Sequence, residues 1–192
     1  MSRKNMQKKT ITKPLLRTAF ISLLDEKNIE EITVQEIVEK AMINRSTFYL
    51  HYKDKYHLYD SIVTEILLEL STTLEQANKY PFKTLLNDYY HQNKPLDSAV
   101  VFLEHIHENA DIYSILIKQK DFQAQFANLI SDMIYNGNAL PRIMTNHIAY
   151  GSVGTILEWL TKNTPYSIYY LANFITRLSI SEILEYKNLQ IE

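Results

Sequence analysis

The chain contains no cysteine. That excludes disulfides and thiolate metal sites and fits a reducing compartment. Glycine and proline are nearly as scarce, with 3 and 5 in 192 residues. So little punctuation disfavours a sheet-rich fold with many tight turns and favours long helices. No apolar run approaches the ~20 residues that a membrane helix needs. The basic start, MSRKNMQKKT, is not followed by the apolar stretch of a signal peptide. Gly-rich phosphate loops, a Ser/His/Asp order and zincin motifs are all missing, so neither an enzyme class nor a cofactor is indicated. The expectation is an all-helical cytoplasmic protein that is not an enzyme.

What is present is ordinary in bulk and uneven in detail. Hydrophobic residues make up 46% and charged residues 22%, values usual for a globular protein. The length allows one compact unit or two small packed ones. The net charge of −2 divides into +3 over residues 1–60 and −5 over the remainder. Residues 1–20 hold Arg3, Lys4, Lys8, Lys9, Lys13 and Arg17 and no acid. Such an arm suits phosphate contact or is a solvated tail; charge alone leaves both open.

Helical periodicity begins near Lys13–Lys27, where Leu15, Leu16, Ala19, Phe20, Leu23 and Leu24 mark one apolar face. Thr12 is placed as its N-cap, Pro14 in its first turn and Asn28 in the left-handed position that ends it. Thr33-Val34-Gln35-Glu36 reads as a capping box. It opens a helix of about two turns with Val34, Ile37, Val38 and Ala41 facing inward. After a break at Met42-Ile43-Asn44, Asn44 caps a third helix, Arg45–His51, with Phe48 and Tyr52 inward. Asp54 caps a long fourth helix whose Leu58, Ile62, Ile66, Leu70 and Leu74 repeat every fourth residue, ending before Pro81. Later helices are expected near 82–92, 96–108, 110–118, 122–135, 140–162 and 166–186, with breaks at Asn136-Gly137-Asn138 and Asn163-Thr164-Pro165.

Two short helices joined by a tight turn describe a DNA-reading helix-turn-helix. The second must enter the major groove N-terminus first. There Arg45 reaches a guanine edge or a phosphate, and the short Ser46 and Thr47 let the backbone come close. The helix N-terminus adds partial positive charge suited to phosphate.

The run Thr33-Val34-Gln35-Glu36-Ile37-Val38, the turn at Met42, and Thr47-Phe48-Tyr49-Leu50-His51-Tyr52-Lys53-Asp54-Lys55 closely resembles the tetracycline-repressor (TetR/AcrR) family of bacterial regulators, most sharply over Lys13–Leu58. The resemblance implies an all-α protein: an N-terminal three-helix helix-turn-helix domain joined by a long helix to a C-terminal helical ligand-binding and dimerisation domain. It divides the chain into a basic flexible arm (1–11), the DNA-binding domain (12–56), a connecting helix (57–80) and the second domain (81–192). It implies contacts with double-stranded DNA. Thr33, Thr47, Tyr49, His51 and Lys55 look like phosphate-side groups, and Arg45 and Ser46 look like base-edge readers. Asn44 joins them at the head of the reading helix. Two departures stand out. The family has Gly where Met42 stands, so a positive φ there implies strain, and it has Phe where Tyr52 stands. The family role is a homodimeric repressor, released from a palindromic operator by a small inducer. Some relatives instead bind a protein partner or activate.

Fourteen tyrosines, ten of them at Tyr80 or later, suit a ligand pocket, an interface or a core with polar tips. The ligand-binding residues cannot be named. Gly151, Gly154 and Thr155 form a small-residue patch on one helix face, flanked by Tyr150 and Trp159. With the last helix it reads as half of a four-helix dimer interface, or as a contact within one subunit. Glu104, His105, His107 and Glu108, with His147 or His91, are the one cluster of metal-ligand types. A metal-responsive sensor is the alternative it raises; a solvated surface is the plainer reading, and no metal is assigned.

Overall fold

A computed structural model of the chain describes residues 3–77, 94–136 and 140–189, with side chains from Thr12 onward. The described residues are helical and carry no strand. They form two compact units, Met1–Ile66 and Leu67–Glu192.

The first unit opens with α1 (Arg3–Glu26). Its Leu16, Ala19, Phe20, Leu23 and Leu24 are buried as the periodicity requires, and Ile21 joins them, while Leu15 is exposed. The helix starts nine residues before Thr12, over the segment read as a basic arm, so Thr12 is no N-cap. Lys, Met and Gln are good helix formers, and nothing in that stretch stops the helix. Pro14 therefore stands inside it and forgoes one backbone bond. Asn28 is also corrected. It is extended (φ −66°, ψ 151°) and opens a 3₁₀ turn, Ile29–Glu31. Lys55 explains that turn: its Nζ donates to the carbonyls of Glu30 (2.8 Å) and Ile32 (2.7 Å), which a reading of local residues does not foresee.

Next come α2 (Val34–Lys40) and α3 (Arg45–Tyr49), shorter than the expected Arg45–His51. The long α4 (Lys55–Ala77) follows. Asp54 caps it through the His57 N–H (2.8 Å). Leu16, Phe20, Ile37, Phe48, Leu58, Ile62 and Ile66 are almost wholly buried and form the core of this unit. Ion pairs Lys27–Glu36, Lys40–Glu26 and Arg17–Glu65 lie on its surface and are worth at most about 1 kcal/mol each.

In the second unit Leu70 and Leu74 of α4 continue the buried stripe. The helices that follow are α5 (Asp97–Glu108), α6 (Ala110–Leu116), α7 (Lys120–Asn136), α8 (Arg142–Thr161) and α9 (Ile168–Leu189). The helix expected at 82–92, with Tyr80, Tyr89, Tyr90 and His91, lies outside the described residues, as does part of the Asn136-Gly137-Asn138 break. An aromatic core of Tyr113, Phe122 and Phe126 is fully buried. Between α7 and α8, Ser131 and Thr145 share a buried hydrogen bond (2.8 Å). Ile148 of α8 and Ile183 of α9 share a buried cluster with Leu140. The end of α8 is closed by Asn163 (φ 58°) and Thr164 (φ 50°). Their N–H groups return to the Leu160 and Trp159 carbonyls, the pairing of a Schellman cap. No described helix is long and apolar enough to cross a membrane.

Candidate nucleic-acid interface

The head of the site is set by local chemistry. The Thr33 hydroxyl accepts from the Glu36 N–H (3.2 Å), and Glu36 Oε2 accepts from the Thr33 N–H (2.9 Å), the reciprocal capping box expected. Lys27 reaches the same carboxylate. The Lys27 ammonium first, then the Thr33 bonds, hold the Glu36 carboxyl down at about 2.

The end of α2 sets the angle of α3. The Met42 N–H donates to the Glu39 carbonyl (3.1 Å) and the Ile43 N–H to Val38 (2.9 Å). This is a Schellman cap whose left-handed position is usually glycine. Here it is Met42, at φ 55°, as the departure from the family pattern predicts. Its side chain is 94% exposed, so the turn is made by backbone bonds alone.

Asn44 begins α3 in extended geometry, but its side chain makes no cap bond. Its carbonyl takes the Thr47 and Phe48 N–H groups instead. Phe48 is fully buried and anchors the helix against Tyr52 (ring centroids 5.8 Å). Tyr52 is buried, and its added hydroxyl finds Ser61; burial pushes that phenol upward. The opposite side of α3 is bare. Arg45, Ser46 and Tyr49 are exposed, and Thr47 and His51 are half-buried. Arg45 and Tyr49, one turn apart, face each other. The guanidinium lies 5.8 Å from the ring centroid, and a long hydrogen bond (3.4 Å) runs to the Tyr49 hydroxyl. Such a stack holds the arginine partly ordered in advance. Leu50, missed by reading the sequence, is exposed beside them. Lys55 stands apart from this group in role, since two of its three N–H donors are committed to the Glu30 and Ile32 carbonyls.

The residues named for a second face lie in the other unit. Tyr150, Gly151 and Gly154 are exposed on α8, and Thr155 is half-buried. A Cβ added at either glycine meets nothing within 4 Å. Trp159 differs: it is 2% exposed and its indole N–H donates to the Tyr166 carbonyl (2.9 Å). Exposed Ile143 and His147 extend the α8 face, and Tyr170, Phe174 and Leu178 make a stripe on α9. His147 Nε2 lies 3.8 Å from Glu182 of α9. The α9 stripe sits at i, i+4, i+8 on the helix that the sequence assigns to the dimer interface without naming its residues.

The metal-type cluster is dispersed. His105 is buried against Tyr113, and His107 faces Trp159 (5.8 Å). Among the described residues no group of three or more His, Asp or Glu side chains is placed to hold a metal ion.

Comparison with known proteins agrees with this geometry. Residues 16–62 match the family described as bacterial regulatory proteins, tetR family, and residues 93–181 match a transcriptional regulator C-terminal region. The uncharacterized HTH-type transcriptional regulator YxbF of Bacillus subtilis (strain 168) is 25% identical over 155 residues, 77% of this chain and 39% of that one. The HTH-type dhaKLM operon transcriptional activator DhaS of Lactococcus lactis is 26% identical over 137 residues, 69% of this chain and 65% of that one. The aligned region thus spans less than two thirds of either relative. A TetR transcriptional regulator from Streptococcus agalactiae shares the fold with TM-score 0.67 and 22% identity, covering 92% of this chain and 99% of that one. The Bacillus subtilis regulator FadR, solved in complex with stearoyl-CoA, does so with TM-score 0.54 and 14% identity, covering 88% and 97%.

Proposed function

Because the chain belongs to the tetR family of bacterial regulatory proteins, we propose that it binds double-stranded DNA sequence-specifically as a homodimer and regulates transcription. The observation that carries this reading is the bare face of α3. Arg45, Ser46 and Tyr49 stand exposed on a helix whose other side is locked by Phe48. Arg45 and Ser46 read base edges. Thr33, Asn44, Thr47, Tyr49 and His51 hold phosphates, and Lys55 adds its remaining N–H.

Two copies place their α3 helices in successive major-groove faces, ~34 Å apart for half-sites one turn apart. That implies a palindromic operator. The second copy docks through the exposed faces of α8 and α9: Tyr150, Gly151, Gly154 and Thr155 with Phe174 and Leu178. Trp159, inside the protomer, supports that surface from behind. The protein acts in the cytoplasm and catalyses nothing.

Repression relieved by a small ligand is the first assignment for the second unit. It is supported by FadR, a chain of the same fold whose structure holds stearoyl-CoA. Activation, with a protein partner on the second unit, is a second reading. It is favoured by DhaS, which is named an operon activator.

Selection of bound fragments from genomic DNA, followed by mobility shift, tests the reading. Arg45→Ala is expected to lose roughly ten- to hundred-fold in affinity and to relax the preference at one base pair. Affinity falls steeply as salt rises. Binding that ignores both Arg45→Ala and salt, in a protein of unchanged circular dichroism, overturns it.

A further inference from the structure

The interior of the second unit leaves two polar atoms unused beside each other. Tyr113 of α6 is fully buried, with its ring against Phe122 (6.1 Å) and Phe126 (5.8 Å) of α7. His105 of α5, also buried, meets it edge to face at 5.9 Å. Phe102 of α5 stacks on Phe126 (5.8 Å) and extends the aromatic surface. Among the described residues neither the Tyr113 hydroxyl nor His105 Nε2 has a hydrogen-bond partner.

Among the described residues Asn173 Oδ1 of α9 is a lone orphan elsewhere in this unit, while the buried hydroxyls of serine and threonine are satisfied. Ser131 bonds Thr145, Ser152 bonds the Ile148 carbonyl, and Thr176 accepts from the Leu96 N–H. An orphaned buried polar atom costs the desolvation of that group and is rare in native interiors. Two in one ring pair point to a partner that the described residues do not supply.

The local charge says what kind. The charged groups whose fields reach the pair are carboxylates, Glu69 and Glu108 at His105 and Glu69 at Tyr113. Among the described residues no cation joins them, so the field there disfavours an anionic head. Burial lowers the His105 imidazole and raises the Tyr113 phenol, so both are neutral at neutral pH. A neutral imidazole nitrogen accepts and a phenol donates. One ligand hydroxyl satisfies both.

We propose that His105 and Tyr113 form the polar end of an effector site for an uncharged aromatic molecule bearing a single hydroxyl, a phenol in its chemical class. The ligand hydroxyl donates to His105 Nε2 and accepts from the Tyr113 hydroxyl, and its ring lies among Phe102, Phe122 and Phe126. The inference rests on the ligand-responsive reading of the second unit.

The test uses the full chain and three matched probes: 4-ethylphenol, 4-ethylbenzoate and 4-ethylbenzylamine. In thermal unfolding, the phenol at about ten times its Kd is expected to raise Tm by roughly 3–5 °C. The benzoate and the amine should shift it by less than about 1 °C. Tyr113→Phe and His105→Leu each remove an orphan, so the unliganded variants should melt at or above the wild-type temperature and lose at least ten-fold in phenol affinity. The proposal is overturned if none of the probes stabilises the protein, if all three do so alike, or if the variants bind the phenol as wild type does. Operator binding by the unliganded wild type is measured in parallel. Its absence refutes the regulator reading; its presence with no phenol response refutes this site alone.

Discussion

Replacing Met42 with glycine tests whether the turn between α2 and α3 holds the strain its backbone implies. Met42 sits at φ 55°, where an L-residue pays roughly 1–2 kcal/mol for the approach of Cβ to the following carbonyl. Glycine removes that term. It also frees the unfolded chain, which takes back about 0.5–1 kcal/mol. Packing adds little, because the Met42 side chain is 94% exposed. Both backbone bonds of the cap, from Met42 to Glu39 and from Ile43 to Val38, are available to glycine. The net expectation for Met42→Gly is a stabilisation of roughly 0.5–1 kcal/mol. In urea, followed by circular dichroism, that raises the midpoint by roughly 0.2–0.5 M at unchanged slope. Met42→Ala keeps the Cβ and the strain, so it should stay within about 0.5 kcal/mol of wild type. A glycine variant no more stable than wild type, or an alanine variant that gains as much as glycine, refutes the reasoning.

Other expectations follow from particular groups. The Glu36 carboxyl titrates at about 2 in the folded protein against 4.5 unperturbed. Its stabilisation is therefore complete above pH 4.5 and lost as pH falls from 4.5 towards 2. Urea midpoints across that window should drop less steeply for Glu36→Gln; parallel acid limbs would count against the Lys27 and Thr33 bonds as the cause. His105 is lowered by burial from an ordinary value of 6.5. Its unfolded form takes the proton first, so stability is full above pH 6.5 and declines below it. His105→Leu should flatten that decline, and an unchanged pH profile would show that the imidazole stays solvated. Gly154→Leu places a large side chain where a Cβ meets open space in one protomer. Sedimentation should show an unchanged fold and a shift from dimer to monomer, whereas a variant that remains dimeric moves the interface elsewhere.

Much of the first unit was legible because its signals are local. Thr33 and Glu36 are three residues apart and bond each other. Leu58, Ile62, Ile66, Leu70 and Leu74 repeat at helical spacing, and all are buried. The unusual φ at Met42 was readable only through the glycine that the family pattern places there. Asn28 was misread for a non-local reason. Asparagine tolerates the left-handed region, but the ammonium of Lys55, far along the chain, collects the carbonyls of Glu30 and Ile32 and draws the segment into a 3₁₀ turn. The second unit was harder to read. Its last helix carries apolar residues on more than one face. Leu171 and Ile180 are buried while Phe174 and Leu178 are exposed, and residue type does not tell these apart. Trp159 shows the same limit, since a bulky aromatic beside a small-residue patch fits an inner wall as well as an outer one.

The places where local rules break are also the places that need something outside the protomer. A glycine inside a helix costs roughly 1 kcal/mol against alanine. Gly151 and Gly154 carry that cost on α8, although a Cβ at either would touch nothing. No described residue offsets it, whereas close approach of a second copy would. His105 and Tyr113 leave polar atoms bare in a core whose other buried hydroxyls are bonded, and a ligand hydroxyl would restore the balance there. Arg45 and Tyr49 hold each other on the exposed side of their helix, and a base edge would give them a further partner. Local inconsistency of this kind is expected at functional sites. On this account the three breaks correspond to three partners: the second subunit, the effector and the operator. Each can be removed by one substitution, Gly154→Leu, Tyr113→Phe or Arg45→Ala, that leaves the protomer fold in place.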